Sequence, residues 1–85
     1  MTPAEAMTPD QIRAIMCEVI EIDAMGVDDD FFRMGGKSWG ALALMMRLRE
    51  RSGVEVLLLD VFHARTPSRL AALIADRNVT GSVAT

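Results

Sequence analysis

Hydrophobic residues recur at helical spacing in three stretches of this 85-residue chain. Ile12, Ile15, Met16 and Val19 fall at i, i+3, i+4 and i+7, which places them on one face of a helix. Ahead of them stands Thr8-Pro9-Asp10-Gln11, in which Thr8 is a capping residue and Pro9 suits the first helical position. Gln11 completes the S/T-x-x-E/Q capping box. This pattern predicts a helix running to about Asp23. The period returns from Ser38 to about Ser52, with Gly53 as the stop signal. The third stretch, Leu70, Leu73 and Ile74, follows Thr66-Pro67, a second cap-and-proline start.

The segments between are less regular. "VEVLLLDVFHAR" alternates at Val54, Val56 and Leu58 like a strand, but no second strand exists to pair with it. It is expected to be a loop followed by a short helix around Asp60 to His63. "AMGVDDDFFRMGGK", residues 24–37, holds three glycines and three consecutive aspartates and reads as a loop. A loop of that length in a small domain is usually functional or packed by its own side chains. Phe31 and Phe32 would supply the packing, and at least one of them is expected to anchor the loop in the core. "NVTGSVAT" has no period and is expected to be a frayed tail. The expected fold is all-α, a small four-helix bundle of three main helices and one short one, with a long loop between helices one and two. It forms a single domain over 1–85, with its core over about 8–77 and flexible ends at 1–7 and 78–85.

The second helix has two apolar stripes: Ala41, Leu44, Met45 and Leu48, and Trp39, Leu42, Ala43 and Met46. At about 100° per residue they lie roughly 150° apart, so they cannot both face one small core.

Composition narrows the function. A hydrophobic share of 51% with 25% charged residues describes a globular chain. The net charge is −3 and the isoelectric point lies near 4.9, which argues against nucleic acid as a partner. The single cysteine, Cys17, cannot form an internal disulfide. With His63 the only histidine, no thiolate or imidazole metal site can be assembled. Asp28 to Asp30 read as a solvated turn rather than a cation site. The start lacks the basic and apolar regions of a signal peptide, and no apolar run approaches the ~20 residues of a membrane helix. The expected address is the cytoplasm, with no membrane partner.

"FFRMGGKSWG", Phe31 to Gly40, is the one stretch that carries candidate chemistry. A phosphate-binding loop, G-x-x-x-x-G-K-[ST], needs a glycine where this chain has Phe31 and a strand where it has Asp28 to Asp30. A self-activated serine needs an adjacent base, and His63 has no evident orienting partner. Serine is a favoured N-cap and glycines before a helix are ordinary punctuation, so the residues alone read Ser38 as a cap.

A longer pattern changes that reading. "DDDFFRMGGKSW" resembles the attachment motif of peptidyl carrier (thiolation) domains of nonribosomal peptide synthesis, D-x-F-F-x-x-G-G-x-S followed by an apolar residue. "RLRERSGVEV" is similar to the end of that family's second helix and its Gly-Val-Glu turn, and "LLLDVFHARTPSRLAALI" to its third helix and the start of its fourth. The likeness covers about Thr8 to Ile74. It implies that Ser38 takes 4′-phosphopantetheine from coenzyme A, and that the arm's thiol carries an aminoacyl or peptidyl thioester. Gly35 and Gly36 would form the attachment-loop backbone and leave room for a transferase. The phosphodiester would sit at a helix N-terminus, where the dipole and free N–H groups favour an anion. Catalysis then belongs to partners: a phosphopantetheinyl transferase, an adenylation enzyme or domain, and condensation, tailoring or thioesterase partners. The chain itself is expected to be a monomeric, non-catalytic carrier with no metal.

The family register assigns the Ala41 stripe to the core. Trp39, Leu42 and Met46, with Leu59, are then the expected partner interface. Several positions depart from the pattern: Lys37 replaces the commoner histidine, Trp39 is bulkier than the usual leucine, and Leu57 and Leu59 stand where proline and a charge are frequent. Two alternatives remain, an acyl carrier of polyketide type and a helical interaction module without an arm. Acyl carriers commonly read Asp-Ser-Leu with an acidic second helix, whereas this chain reads Lys37-Ser38-Trp39 with Arg47, Arg49 and Arg51. The short flanks suit both a free-standing carrier and a domain of a larger synthetase.

Overall fold

The computed structural model describes residues 6–83, with side chains to residue 78. It contains four helices in chain order, α1 (Pro9–Ile20), α2 (Ser38–Ser52), α3 (Leu58–Ala64) and α4 (Pro67–Val83), and no strand among the described residues. α1 packs against α2 and α4, and the short α3 bridges α2 and α4. Ile12, Met16, Phe31, Leu44, Leu48, Val56, Val61, Leu70 and Ile74 are fully buried between them.

The start of α1 forms as its sequence dictates. Thr8 Oγ1 accepts the Gln11 N–H at 3.1 Å, and Gln11 Oε1 accepts the Thr8 N–H at 2.9 Å. One residue earlier, Met7 belongs to the core and not to a flexible end. It stands at N′, and Ile12, also buried, stands at N4, the two positions of a hydrophobic staple. The helix ends at Ile20, three residues short of expectation, because Glu21 turns left-handed (φ 56°) and the Ile22 N–H folds back to the Cys17 carbonyl at 3.0 Å.

The valine alternation that mimicked a strand has another cause. Val54 and Val56 are buried in an extended loop whose polar groups are met by side chains. Buried Ser52 donates to the Leu48 carbonyl at 2.6 Å and accepts the Val54 N–H at 3.0 Å, while Arg49 Nε reaches the Val56 carbonyl at 2.7 Å.

α3 is longer than expected, two residues earlier and one later. The Asp60 carboxylate accepts the Leu57 N–H at 2.7 Å and so caps its first turn. From α4, Arg77 holds the same carboxylate through both terminal nitrogens and reaches the Glu55 carbonyl at 3.0 Å. α4 opens as expected, with the Arg69 N–H on Thr66 Oγ1 at 3.1 Å. Its buried stripe is Leu70, Ala71 and Ile74, with Leu73 only half-buried. The expected frayed tail from Asn78 is instead helical backbone to Val83. Once a helix is nucleated, each further residue adds a hydrogen bond at little cost, so the end of the apolar period does not end the helix.

Two carboxylates tie acid stability to this architecture. The Arg77 hydrogen bond, outweighing desolvation, holds Asp60 below the ordinary 3.8. Desolvation pushes Asp30 upward, but hydrogen bonds from Arg65 and from the N–H groups of Phe32 and Arg33 bring it below 3.8. Both groups release their proton more readily folded than unfolded. Their contribution is therefore complete above the unfolded value and lost as pH falls through the lowered one. Thermal melts should show falling stability below about pH 4. Asp30→Asn and Asp60→Asn combined should melt lower at pH 7 and lose less on acidification. A parallel fall in the double variant would locate the acid sensitivity elsewhere.

Candidate functional site: the attachment loop and the start of α2

The aspartates of the loop have separate roles. Asp29 accepts the Gly26 N–H at 2.6 Å and closes a turn. Asp30 accepts the N–H groups of Phe32 (2.8 Å) and Arg33 (3.3 Å) and pairs with Arg65 Nε at 2.6 Å. Arg65 is the hub on the opposite side. It caps α3 in the left-handed region (φ 68°), accepts the Phe31 N–H on its carbonyl at 2.8 Å, and lays its guanidinium 4.7 Å from the centre of the Phe32 ring. A second strut runs from the Ser68 N–H to the Val27 carbonyl at 2.9 Å. The loop is thereby fastened to the α3–α4 corner, more than thirty residues away in sequence.

The two phenylalanines differ. Phe31 is fully buried, while Phe32 is half-buried, edge-on to Phe31 at 5.2 Å and stacked on Phe62 at 5.0 Å. Phe31 shapes everything that follows. The Gly36 N–H returns to the Phe31 carbonyl at 2.9 Å, and a Cβ on Gly36 would stand 2.3 Å from the Phe31 ring and 2.8 Å from its carbonyl oxygen. A Cβ on Gly40 would lie 3.4 Å from the tip of the same ring, ordinary contact. The ring thus lies under the residues two before and two after Ser38. Gly35 takes φ 121°, a conformation open to glycine and strained for other residues. The two glycines serve backbone turning and ring packing. Gly36 is buried, so it does not open space for a transferase as the sequence suggested.

Ser38 is the first residue of α2, and the cap is Lys37, in extended conformation (φ −126°, ψ 178°). The expectation that Ser38 caps the helix is corrected: α2 has no side-chain cap at all. The shift of one position follows from Gly36, whose pinning under Phe31 makes Lys37 the last extended residue. Ser38 is exposed, and its hydroxyl makes no hydrogen bond among the described residues. The first-turn N–H groups lack intrahelical acceptors, and no acidic residue occupies that turn. An anionic ester on Ser38 therefore fits: room at the hydroxyl, free donors, and no opposing carboxylate in the turn. His63 is exposed on α3 and is not hydrogen-bonded to Ser38. No cluster of metal-ligating side chains exists among the described residues.

From Trp39, beside Ser38, the outer face of α2 is apolar. Trp39 (64% exposed), Leu42 (47%) and Met46 (57%) lie on the outer face of α2, while Ala41, Leu44 and Leu48 are buried and Met45 half-buried. Leu59 is 64% exposed, and Leu57 and Leu58, which the sequence reading did not assign to the interface, are exposed beside it. A seven-residue helix that buries Val61 and Ala64 has no inward face left for three consecutive leucines.

A small helical bundle presenting an unpartnered serine at the start of its second helix, on a loop locked by buried phenylalanine, has the build of a carrier domain. The family model for the phosphopantetheine attachment site matches residues 10–74, and the chain belongs to that family. It is 40% identical over 70 residues to the dimodular nonribosomal peptide synthase of Bacillus subtilis, covering 82% of this chain and 3% of that protein. It is 41% identical over 93 residues to the N-(5-amino-5-carboxypentanoyl)-L-cysteinyl-D-valine synthase of Amycolatopsis lactamdurans, covering 94% of this chain and 2% of that one. The chain thus spans a few per cent of these relatives' length. Among solved structures it superposes on a peptidyl carrier protein in complex with the phosphopantetheine transferase Sfp and coenzyme A (TM-score 0.79, 25% identity, 91% of this chain and 100% of that). It also superposes on the isolated PCP described as a prototype of the peptidyl carrier domains of modular peptide synthetases (TM-score 0.73, 28% identity, 88% and 97%). The chain is a peptidyl carrier (thiolation) domain of the nonribosomal peptide synthesis type, a class that holds 4′-phosphopantetheine covalently on a serine.

Phe31→Ala should cost about 3–5 kcal/mol by loss of a buried aromatic ring. Phe32→Ala should cost less. Gly36→Ala should be clearly destabilising, by at least the ~1–3 kcal/mol of overpacking, because part of the obstruction is backbone. Gly40→Ala should be tolerated, since contact there is ordinary and alanine favours helix by about 1 kcal/mol. Melts of the four variants check the order. Equal effects of Gly36→Ala and Gly40→Ala would remove the Phe31 wedge from the account.

Proposed function

We propose that Ser38 is the attachment serine and that the chain presents aminoacyl or peptidyl thioesters to partner enzymes without performing chemistry on them. The observation that carries this is the state of Ser38: exposed, unbonded, and fixed in place by the Phe31 ring under Gly36 and Gly40. In the loading step Ser38 Oγ forms a bond to the pantetheine-bearing phosphorus of coenzyme A. The bond from that phosphorus to the 3′,5′-ADP portion breaks, and the hydroxyl proton leaves. Nothing hydrogen-bonded to Ser38 can take that proton, which fits a base supplied by the transferase.

The outer face of α2, Trp39, Leu42 and Met46, with Leu57 to Leu59, is the surface on which partners seat in this reading. Exposed apolar patches of this kind mark contact sites, and methionine suits a surface that must fit several partners. The partners are a phosphopantetheinyl transferase, an adenylation enzyme or domain, and condensation, tailoring or thioesterase enzymes. The basic end of α2 favours the peptidyl over the acyl type: Arg49 is used internally, whereas Arg47, 3.6 Å from Glu18, and Arg51 remain exposed. Residues 1–85 act as one carrier domain in this reading. No helix of the described residues is long and apolar enough to cross a membrane, and the proposed site of action is the cytoplasm.

Incubation with coenzyme A, Mg²⁺ and a broad-specificity transferase should add one phosphopantetheine by intact mass. Ser38→Ala should abolish the addition, and because the hydroxyl caps nothing its stability should change by less than about 0.5 kcal/mol. A modified Ser38→Ala protein would sink the assignment.

Met46→Glu should leave the melt nearly unchanged yet slow loading by the adenylating enzyme, since an interface buries the new carboxylate without a partner. Leu48→Glu, which puts the same charge in the core, should unfold the domain. Unimpaired loading of a folded Met46→Glu protein would move the interface off this face.

A further inference from the structure

Arg65 takes the left-handed conformation at the end of α3 (φ 68°), a position that glycine fills without strain and that costs other residues energy. The backbone work done there needs no side chain. The Arg65 N–H reaches the Val61 carbonyl at 3.1 Å, and the Arg65 carbonyl accepts the Phe31 N–H at 2.8 Å; glycine could do both. What the arginine adds is a set of contacts to the attachment loop. Its Nε pairs at 2.6 Å with the carboxylate of Asp30, 35 residues earlier, and its guanidinium lies 4.7 Å from the centre of the Phe32 ring. The same carboxylate accepts the N–H groups of Phe32 and Arg33. The Asp30 side chain is only 20% exposed, so the pair is sheltered from the screening that weakens surface ion pairs.

We propose that Arg65 is a positioning residue for the modification of Ser38, its side chain holding the loop in the arrangement that seats Phe31 beneath Gly36 and Gly40. This rests on Ser38 as the attachment serine. Arg65 fixes Asp30, and Asp30 fixes the backbone of the residues that follow it. The Phe31 carbonyl, among those residues, holds the Gly36 N–H at 2.9 Å. Gly36 sets where α2 begins, and Ser38 is the first residue of that helix. Without the guanidinium the domain keeps its core, but the loop gains freedom and offers the serine over a wider range of positions. A transferase must align one hydroxyl with one phosphorus, and a misplacement on the order of 1 Å then slows the reaction strongly.

The test follows modification by intact mass with coenzyme A, Mg²⁺ and a broad-specificity transferase, well below the lowest melting point of the variants. In Arg65→Gly the relief of strain opposes the loss of the ion pair, so the melt should move little. The kcat for the carrier should nevertheless fall by roughly tenfold, with KM nearly unchanged. Amide exchange at Gly36 should speed up, while that at Ile22, beyond the end of α1, should not. Asp30→Asn keeps an acceptor for the Phe32 and Arg33 N–H groups but loses the charge, and it should lower kcat in the same way. The double variant should be no slower than the slower single one, as for two residues that act as a unit. Thr8→Ala, which lowers the melting point by removing the cap of α1, should leave kcat and KM at their wild-type values. A wild-type kcat in Arg65→Gly and Asp30→Asn, or an equal fall in Thr8→Ala, overturns the positioning role while leaving Ser38 as the attachment site. So does a raised KM at unchanged kcat, which would mean that Arg65 meets the transferase directly. A mass increase absent from the wild type, or retained in Ser38→Ala, removes the attachment reading and the role of Arg65 with it.

Discussion

A fully buried ring, Phe31, packs against the backbone of Gly36 and under Gly40, and the geometry of the whole attachment region follows from that contact. The ring sets where the loop can turn, and hence which residue is the last extended one and which is the first helical one. Its own position is secured from behind, by the Phe31 N–H on the Arg65 carbonyl and by the Asp30–Arg65 pair that brackets it. The serine side chain is thus the exposed tip of a packed stack that reaches into the centre of the bundle. In the proposed role of Ser38, the buried ring fixes where the hydroxyl is offered to a transferase, and later the root of the arm that other enzymes meet, without the serine making any bond of its own.

The second helix divides its labour by face. Ala41, Leu44 and Leu48 join the core, and the opposite stripe stays in water. In a domain this small, leaving Trp39, Leu42 and Met46 exposed gives up hydrophobic burial that could have added to stability. Such a surface is understandable where the burial is deferred to complexes. The exposed leucines at the start of α3 extend the same logic, since α3 is fastened through Asp60 and Arg77, buries Val61 and Ala64, and leaves Leu58 and Leu59 outward.

What the sequence reveals of this architecture is mostly local. The Thr8–Gln11 box, the Thr66 start, the Gly53 stop and the α1 stripe Ile12, Ile15, Met16 and Val19 each depend on residues within a turn or two, and each stands as read. The buried anchor in the loop was also legible, because an isolated pair of phenylalanines in a polar loop has few other uses. Contacts across the chain were not. Asp30 and Arg65 are 35 residues apart, Asp60 and Arg77 are 17 apart, and no spacing rule pairs them. The cap of α2 was misplaced by one residue for the same reason: propensity favours serine, and a tertiary contact at Gly36 overrides it. The end of α4 was read from the loss of apolar period, although the backbone hydrogen bonds that sustain a helix are indifferent to it.

The clamp on α3 has a consequence for where this domain can be cut or fused. Arg77 lies beyond Ile74, the last buried side chain among the described residues, and beyond the matched residues 10–74, yet it holds the first turn of α3 and the Glu55 carbonyl. At the other end Met7 precedes the matched region and still belongs to the core. A segment trimmed to the recognised family limits would retain the serine, the loop and every fully buried residue among those described. It would nevertheless lose the staple at one end and the guanidinium at the other, so a junction that respects the physics runs from Met7 through Arg77.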